Sequence, residues 1–172
     1  MMKVIHESGI DFGRFDTDKL YEIEKSKINL DIGKGIKTVE FIYLNGTDLL
    51  FVEAKATCPN PANKDSSDAK NKKYEAYFSD IAEKFIDSVS LFASIKLGRQ
   101  IRTEEFGREL SEADSFRNIA LKLVLVIAGA EESCLPGPKA ELESRLLKWR
   151  KIWKADVVVL NRKLAKAAGI SR

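Results

Sequence analysis

Among 172 residues there is one histidine, and there are only two cysteines and four prolines. A single histidine, His6, excludes most zinc hydrolase centres and Ser-His-Asp schemes, unless His6 itself is used. Cys58 and Cys134 lack metal-ligand spacing and read as reduced thiols, the cytoplasmic pattern. No apolar run approaches the roughly 20 residues needed to span a bilayer, so no membrane partner is expected. Met1 to Glu7 holds no apolar signal-peptide core, which also points to the cytoplasm. Internal repeats, coiled-coil heptads and low-complexity tracts are missing too.

What is present is ordinary for a globular chain: 44% hydrophobic and 32% charged residues. The length suits one domain, residues 1–172, with a substantial core. The net charge of +3 is unevenly spread. From Leu135 to Arg172 ten Lys or Arg stand against three Asp or Glu, a local +7, so residues 1–134 carry −4.

The centre of the chain carries the most information. Gly35 to Lys55 contains two apolar, β-branched and aromatic runs around Asn45-Gly46, a strong hairpin signal. If Asn45-Gly46 is the whole loop, Leu44 pairs with Thr47 and Glu40 lies opposite Phe51. If the loop has four residues, Leu44 pairs with Leu49 and Glu40 lies opposite Glu53. Strand side chains alternate with period two, so both registers put Glu40, Glu53 and Lys55 on one face. Phe51-Val52-Glu53-Ala54 is apolar on both sides, so these charges interrupt strands that look buried. Carboxylate oxygens are hard ligands suited to Mg²⁺ or Mn²⁺. Such an ion polarises a phosphoryl oxygen and lowers the pKa of a bound water, and Lys55 could orient that water.

The rest of the chain supplies helices and central strands. Residues 1–15 show no clear period. Asp16-Thr17-Asp18-Lys19 reads as a helix start, although residues 20–24 also fit a strand. Residues 56–71 read as a polar loop. Tyr74 to Ile95 repeats apolar residues at three- and four-residue spacing, predicting a helix over about 72–97 that Gly98 ends. Lys84 interrupts its apolar face and reads as a snorkelling surface lysine ahead of a second basic group reaching the site. Residues 99–118 read as a polar connection, either a β-hairpin or an irregular lid. Strands are expected over 121–129 and 155–161, and helices over 137–151 and 162–168.

This pattern resembles the PD-(D/E)xK nuclease superfamily, in which an acid on one strand precedes a hairpin and (D/E)-x-K ends the next. Glu53-Ala54-Lys55 matches the second half, and Glu40 matches the first acid by position. Val39-Glu40 stands where the family has Pro-Asp. The resemblance implies a restriction-endonuclease-like α/β fold, a mixed β-sheet flanked by helices. It further implies Mg²⁺ or Mn²⁺ held by Glu40, Glu53, the carbonyl of Ala54 and a glutamate from the first helix, for which Glu24 is the candidate. Glu40, Glu53 and Lys55 would then be catalytic. The substrate would be nucleic acid, with DNA ahead of RNA, and nucleases of this fold often act as homodimers. A binding protein of the same fold without catalysis is the alternative. For the phosphate backbone the candidates are Lys148, Arg150, Lys151 and Lys154 beside two tryptophans, with Lys64, Lys70, Lys72 and Lys73 next.

Overall fold

A computed structural model describes residues 1–100, 105–112 and 118–172. In chain order the strands are β1 (Met2–Glu7), β2 (Ile10–Asp16), β3 (Leu20–Tyr21), β4 (Phe41–Asn45), β5 (Asp48–Lys55), β6 (Ala120–Ile127) and β7 (Asp156–Leu160). The helices are α1 (Lys27–Ile32), α2 (Asp68–Lys96), α3 (Arg108–Glu112), α4 (Pro136–Arg145), α5 (Leu147–Trp153) and α6 (Arg162–Ala167).

The molecule is mixed α/β. Five strands form one sheet in the order β3-β4-β5-β6-β7, and β1 pairs with β2 in a separate antiparallel ribbon. β3, β4 and β5 run antiparallel in succession, while β5, β6 and β7 run parallel. Antiparallel neighbours need only a tight turn, whereas parallel ones need a crossover. α2 and α3 lie between β5 and β6 in the chain, and α4 and α5 between β6 and β7.

Both sheet faces are buried, as the apolar runs predict. Leu49 and Phe51 of β5 pack with Phe85 and Phe92 of α2 and with Leu142 of α4. Leu50, Val52 and Ala54 face the other way, against Phe12 and Phe15 of β2 and Ala165 of α6. Glu53 and Lys55 share the parity of Leu49 and Phe51 and so point to the α2 side.

The hairpin takes the second of the two expected registers. Leu44 pairs with Leu49 and Asn45 with Asp48, leaving Gly46-Thr47 at the tip. Phe41 pairs with Val52 as the last pair of this ladder, and Glu40 immediately precedes it. α2, β6, β7 and α6 form close to their expected bounds, and Gly98 follows α2 with φ 69°.

Other segments depart from expectation. Residues 1–15, read as irregular, form the β1–β2 hairpin, turned by Ser8 (φ 49°) and Gly9 (φ 76°). Asp16 does not start an α-helix; it caps a single 3₁₀ turn, Thr17–Lys19, that leads into β3. The loop after β5 is shorter than expected, because Pro61–Asp65 forms a 3₁₀ turn and α2 already begins at Asp68. The single helix expected over 137–151 divides at Leu146 into α4 and α5. Of the expected lid or hairpin over 99–118, residues 101–104 and 113–117 lie outside the described residues, and Arg108–Glu112 is helical. No helix among the described residues is long and apolar enough to cross a membrane.

Candidate functional site

Five segments converge at the carboxyl end of β5, α2 among them through Lys84. β5 contributes Glu53 and Lys55. The segment entering β4 contributes Glu40, and its approach is fixed from α2. There Asp87 accepts from the Lys37 N–H at 2.9 Å, and the buried Ser88 hydroxyl accepts from the Val39 N–H at 2.8 Å. The Glu40 N–H then donates to the Val52 carbonyl at 3.1 Å. Glu24 sits on a 3₁₀ turn, Ile23–Lys25, which the fully buried Ile23 anchors. Ser26 closes that turn, donating to the Ile23 carbonyl and accepting from the Asn29 N–H to cap α1. Glu7 arrives from the end of β1.

Glu53 is the most enclosed charge among the described residues, with its side chain 0% exposed. Lys84 donates to both of its oxygens, at 2.9 and 3.1 Å, and Lys55 Nζ lies 2.9 Å from Oε1. Burial pushes the Glu53 carboxyl above its usual range, against the pull of Lys84 and Lys55. Burial also works to lower the Lys84 ammonium, but Glu53, Glu40 and Glu24 outweigh it and hold it above its usual value. Lys84, 14% exposed, is therefore not a surface lysine: removing an ammonium from water is tolerated here because a buried carboxylate meets it. Its sequence signal was present, since Ile81, Lys84 and Ser88 are spaced three and four apart on the buried stripe of α2.

Glu40 is part-buried and belongs to a different group. One carboxylate oxygen each from Glu7, Glu24 and Glu40 lie within 4.8 Å of one another. Burial, a hydrogen bond shared with Glu24 and the negative charge of Glu53 push the Glu40 carboxyl up to about 8. Lys25 Nζ stands 2.8 Å from Glu7, and Lys84 Nζ 4.0 Å from Glu24. Lys55 also reaches toward Asp80 of α2, at 3.8 Å.

The structure thus brings Glu24 and Glu40 together with Glu7, and joins Glu53 to Lys55 and Lys84. Glu24 gets there on a 3₁₀ turn instead of the expected helix. Glu7 was not singled out in the sequence, because its partners lie far along the chain and β1 shows no clean alternation. The Ala54 carbonyl accepts the Ser8 hydroxyl at 3.0 Å, which leaves one lone pair for another partner. His6 stays outside the site, with Nδ1 2.6 Å from Asp11.

The expected phosphate-binding residues lie elsewhere. Trp149 and Trp153 of α5 pack beside Leu123 and Ala155, toward the amino-terminal ends of β6 and β7. Leu123 pairs with Phe51 and Ile127 with Lys55, so this level is four residues, roughly 13 Å, from Lys55 along the sheet. Lys148, Lys151 and Lys154 are exposed there. Arg150 is 25% exposed and lies 3.4 Å from Glu143. In the loop after β5, Lys64 pairs with Glu141 at 2.9 Å.

Three clustered carboxylates offer hard oxygen donors of the kind Mg²⁺ or Mn²⁺ takes. The fourth carboxylate, Glu53, is met by the ammoniums of Lys84 and Lys55. Comparison of the chain with family models, curated proteins and solved structures gave no match.

Proposed function

We propose that the protein is a metal-dependent nuclease with a restriction-endonuclease-like sheet, hydrolysing phosphodiester bonds in nucleic acid. The reading rests on one observation above all. Glu40, the acid before the hairpin, joins Glu7 and Glu24 in a cluster of carboxylate oxygens within 4.8 Å of one another, and Glu53-Ala54-Lys55 ends the hairpin's second strand beside it. The succession of three antiparallel strands, a long helix and a parallel strand agrees with that fold.

Glu7, Glu24 and Glu40 would hold Mg²⁺ or Mn²⁺, with the Ala54 carbonyl and Glu53 alongside. Bound there, the ion would polarise a phosphoryl oxygen and acidify a water. The side chains have distinct duties. Glu40 would ligate in its deprotonated form, so metal binding there would compete with a proton. Lys84 neutralises Glu53 and stiffens the floor of the site. Lys55, 27% exposed, is the ammonium able to meet solvent and substrate, where it orients the attacking water and offsets charge on the phosphoryl group.

A second reading is a nucleic-acid- or protein-binding relative without catalysis. The full enclosure of Glu53, with both oxygens taken by Lys84, favours it, because a structural ion pair leaves no open ligand there. Titration calorimetry with Mn²⁺, paired with cleavage assays on DNA and RNA, separates the two. Metal binding that Glu40→Gln removes, together with cleavage that Lys55→Ala removes, supports the nuclease. Binding of nucleic acid without turnover in any metal supports the alternative.

A further inference from the structure

Beyond the carboxyl ends of β6 and β7 a cleft of about 500 Å³ opens, and its charged lining is Arg162, Lys163, Lys166 and Arg172. All four are cations, and the backbone carrying them is held. Asn161 accepts from the Leu164 N–H at 2.9 Å, capping α6, and donates to the Ala130 carbonyl at 3.2 Å. The chain end lies along β2: Ser171 bridges to Phe12, and the Arg172 N–H donates to the Asp11 carbonyl at 2.9 Å. Lys163 is partly offset by Glu132 at 3.4 Å. Lys166 and Arg172 are exposed and have no ion pair among the described residues.

This cleft adjoins the carboxylate cluster through three consecutive residues. Glu7 belongs to the cluster, the Ser8 hydroxyl donates to Ala54 beside Glu53, and the Gly9 carbonyl accepts from Arg162 Nη2 at 2.9 Å. Two Cα steps, about 7 Å of chain, link Glu7 to Gly9. A single small anion needs one or two cations. Four of them, spread over a helix turn and a chain end, match a polyanion that continues across the surface.

We infer that this cleft carries the phosphate backbone of a nucleic-acid strand that leads over the Ser8-Gly9 turn to the carboxylate cluster. The identity of the polyanion rests on the nuclease reading, since a strand cut at the cluster must leave it over neighbouring surface. On the Gly9 side that surface is cationic. The α5 lysines stand at the other end of the parallel strands.

The test is fluorescence anisotropy of the whole chain with labelled single-stranded and duplex oligonucleotides, in EDTA across a salt series. Neither metal nor cleavage is needed. Replacing Lys166 and Arg172 together with Ala should weaken binding and flatten the log–log salt slope on duplex by up to about 1.8, at roughly 0.9 per phosphate contact. Lys148→Ala with Lys151→Ala should leave both unchanged. If the double variant melts early, Lys166→Glu alone replaces it, with weaker binding again expected. Loss of affinity in the α5 pair instead overturns the inference. So does a wild type that binds no oligonucleotide, or one from which polyglutamate at matched charge displaces the oligonucleotide, since that favours an acidic polypeptide. Binding that depends on Lys166 and Arg172 without cleavage in Mn²⁺ upholds the cleft and removes the nuclease. Cleavage indifferent to both residues does the reverse.

Discussion

The Glu40 carboxyl, pushed up to about 8 from an ordinary 4.5, makes stability depend on pH with a definite sign. Between those values the folded protein binds more protons than the unfolded chain, so stability is greatest below the window and falls as pH rises through it. Glu40→Gln should flatten that fall in thermal melts and raise the melting temperature above the window. Mn²⁺ must displace the proton, so it should raise the wild-type melting temperature more above the window than below it. Equal metal shifts at both ends would remove Glu40 from the ligand set. Lys84 calls for a different test. Deleting one partner of a buried pair leaves a charge uncompensated, so Lys84→Met should cost about 3 kcal/mol in urea unfolding, with Lys55 limiting the loss. Glu53→Leu in the Lys84→Met background should recover most of it. Additive losses would mean that the pair is not coupled.

At the scale of elements, α2 both packs the sheet and aims the site. Its Ser88 hydroxyl takes the Val39 N–H inside the core, one residue before Glu40. Ser88→Ala leaves that donor buried and unpaired, which costs about 1–3 kcal/mol. We expect weaker metal binding as well, because the entry to β4 loses its anchor; calorimetry with Mn²⁺ reads this separately from stability. The β1–β2 ribbon depends on Gly13, which lies close to the Lys3–Val4 bulge at φ 97°. A Cβ there would stand 2.6 Å from the Lys3 carbonyl, so Gly13→Ala should destabilise by several times the ~1 kcal/mol of an ordinary helix glycine change. These two elements also mark what could be read from the chain. α2, β4, β5, β6 and β7 carry long single-period patterns and were legible. β1 was not, because its residues are mostly exposed and its partner β2 was not recognisable as a strand, since the extra residue Arg14 between Gly13 and Phe15 breaks the alternation there.

At the scale of the whole molecule, the legible part of the site is the part that one hairpin builds. Glu40, Glu53 and Lys55 share a face in any even register, so local alternation suffices to place them. Glu7 joins through a ribbon on the opposite side of the sheet, and Lys84 through a helix that follows a loop, so neither is fixed by local spacing. The sequence also could not distribute the charges. It offered Glu40 and Glu53 as a pair, whereas tertiary packing gives Glu53 to two lysines and Glu40 to two other glutamates. This division sets the decisive prediction for activity. If the three-carboxylate cluster binds the ion, Glu7→Gln and Glu40→Gln should each weaken Mn²⁺ binding and abolish nucleic-acid cleavage together. Lys55→Ala should abolish cleavage while leaving Mn²⁺ binding nearly intact, because an ammonium has donors and no lone pair to ligate with. Glu53→Gln should sit between them, disturbing Lys55 and Lys84 first and the metal second. Calorimetric titration of all four variants beside a cleavage assay reads both quantities. Full Mn²⁺ affinity in Glu7→Gln and Glu40→Gln, with affinity lost only in Glu53→Gln, would move the ion to the end of β5 and return the hairpin pair to the centre of the site.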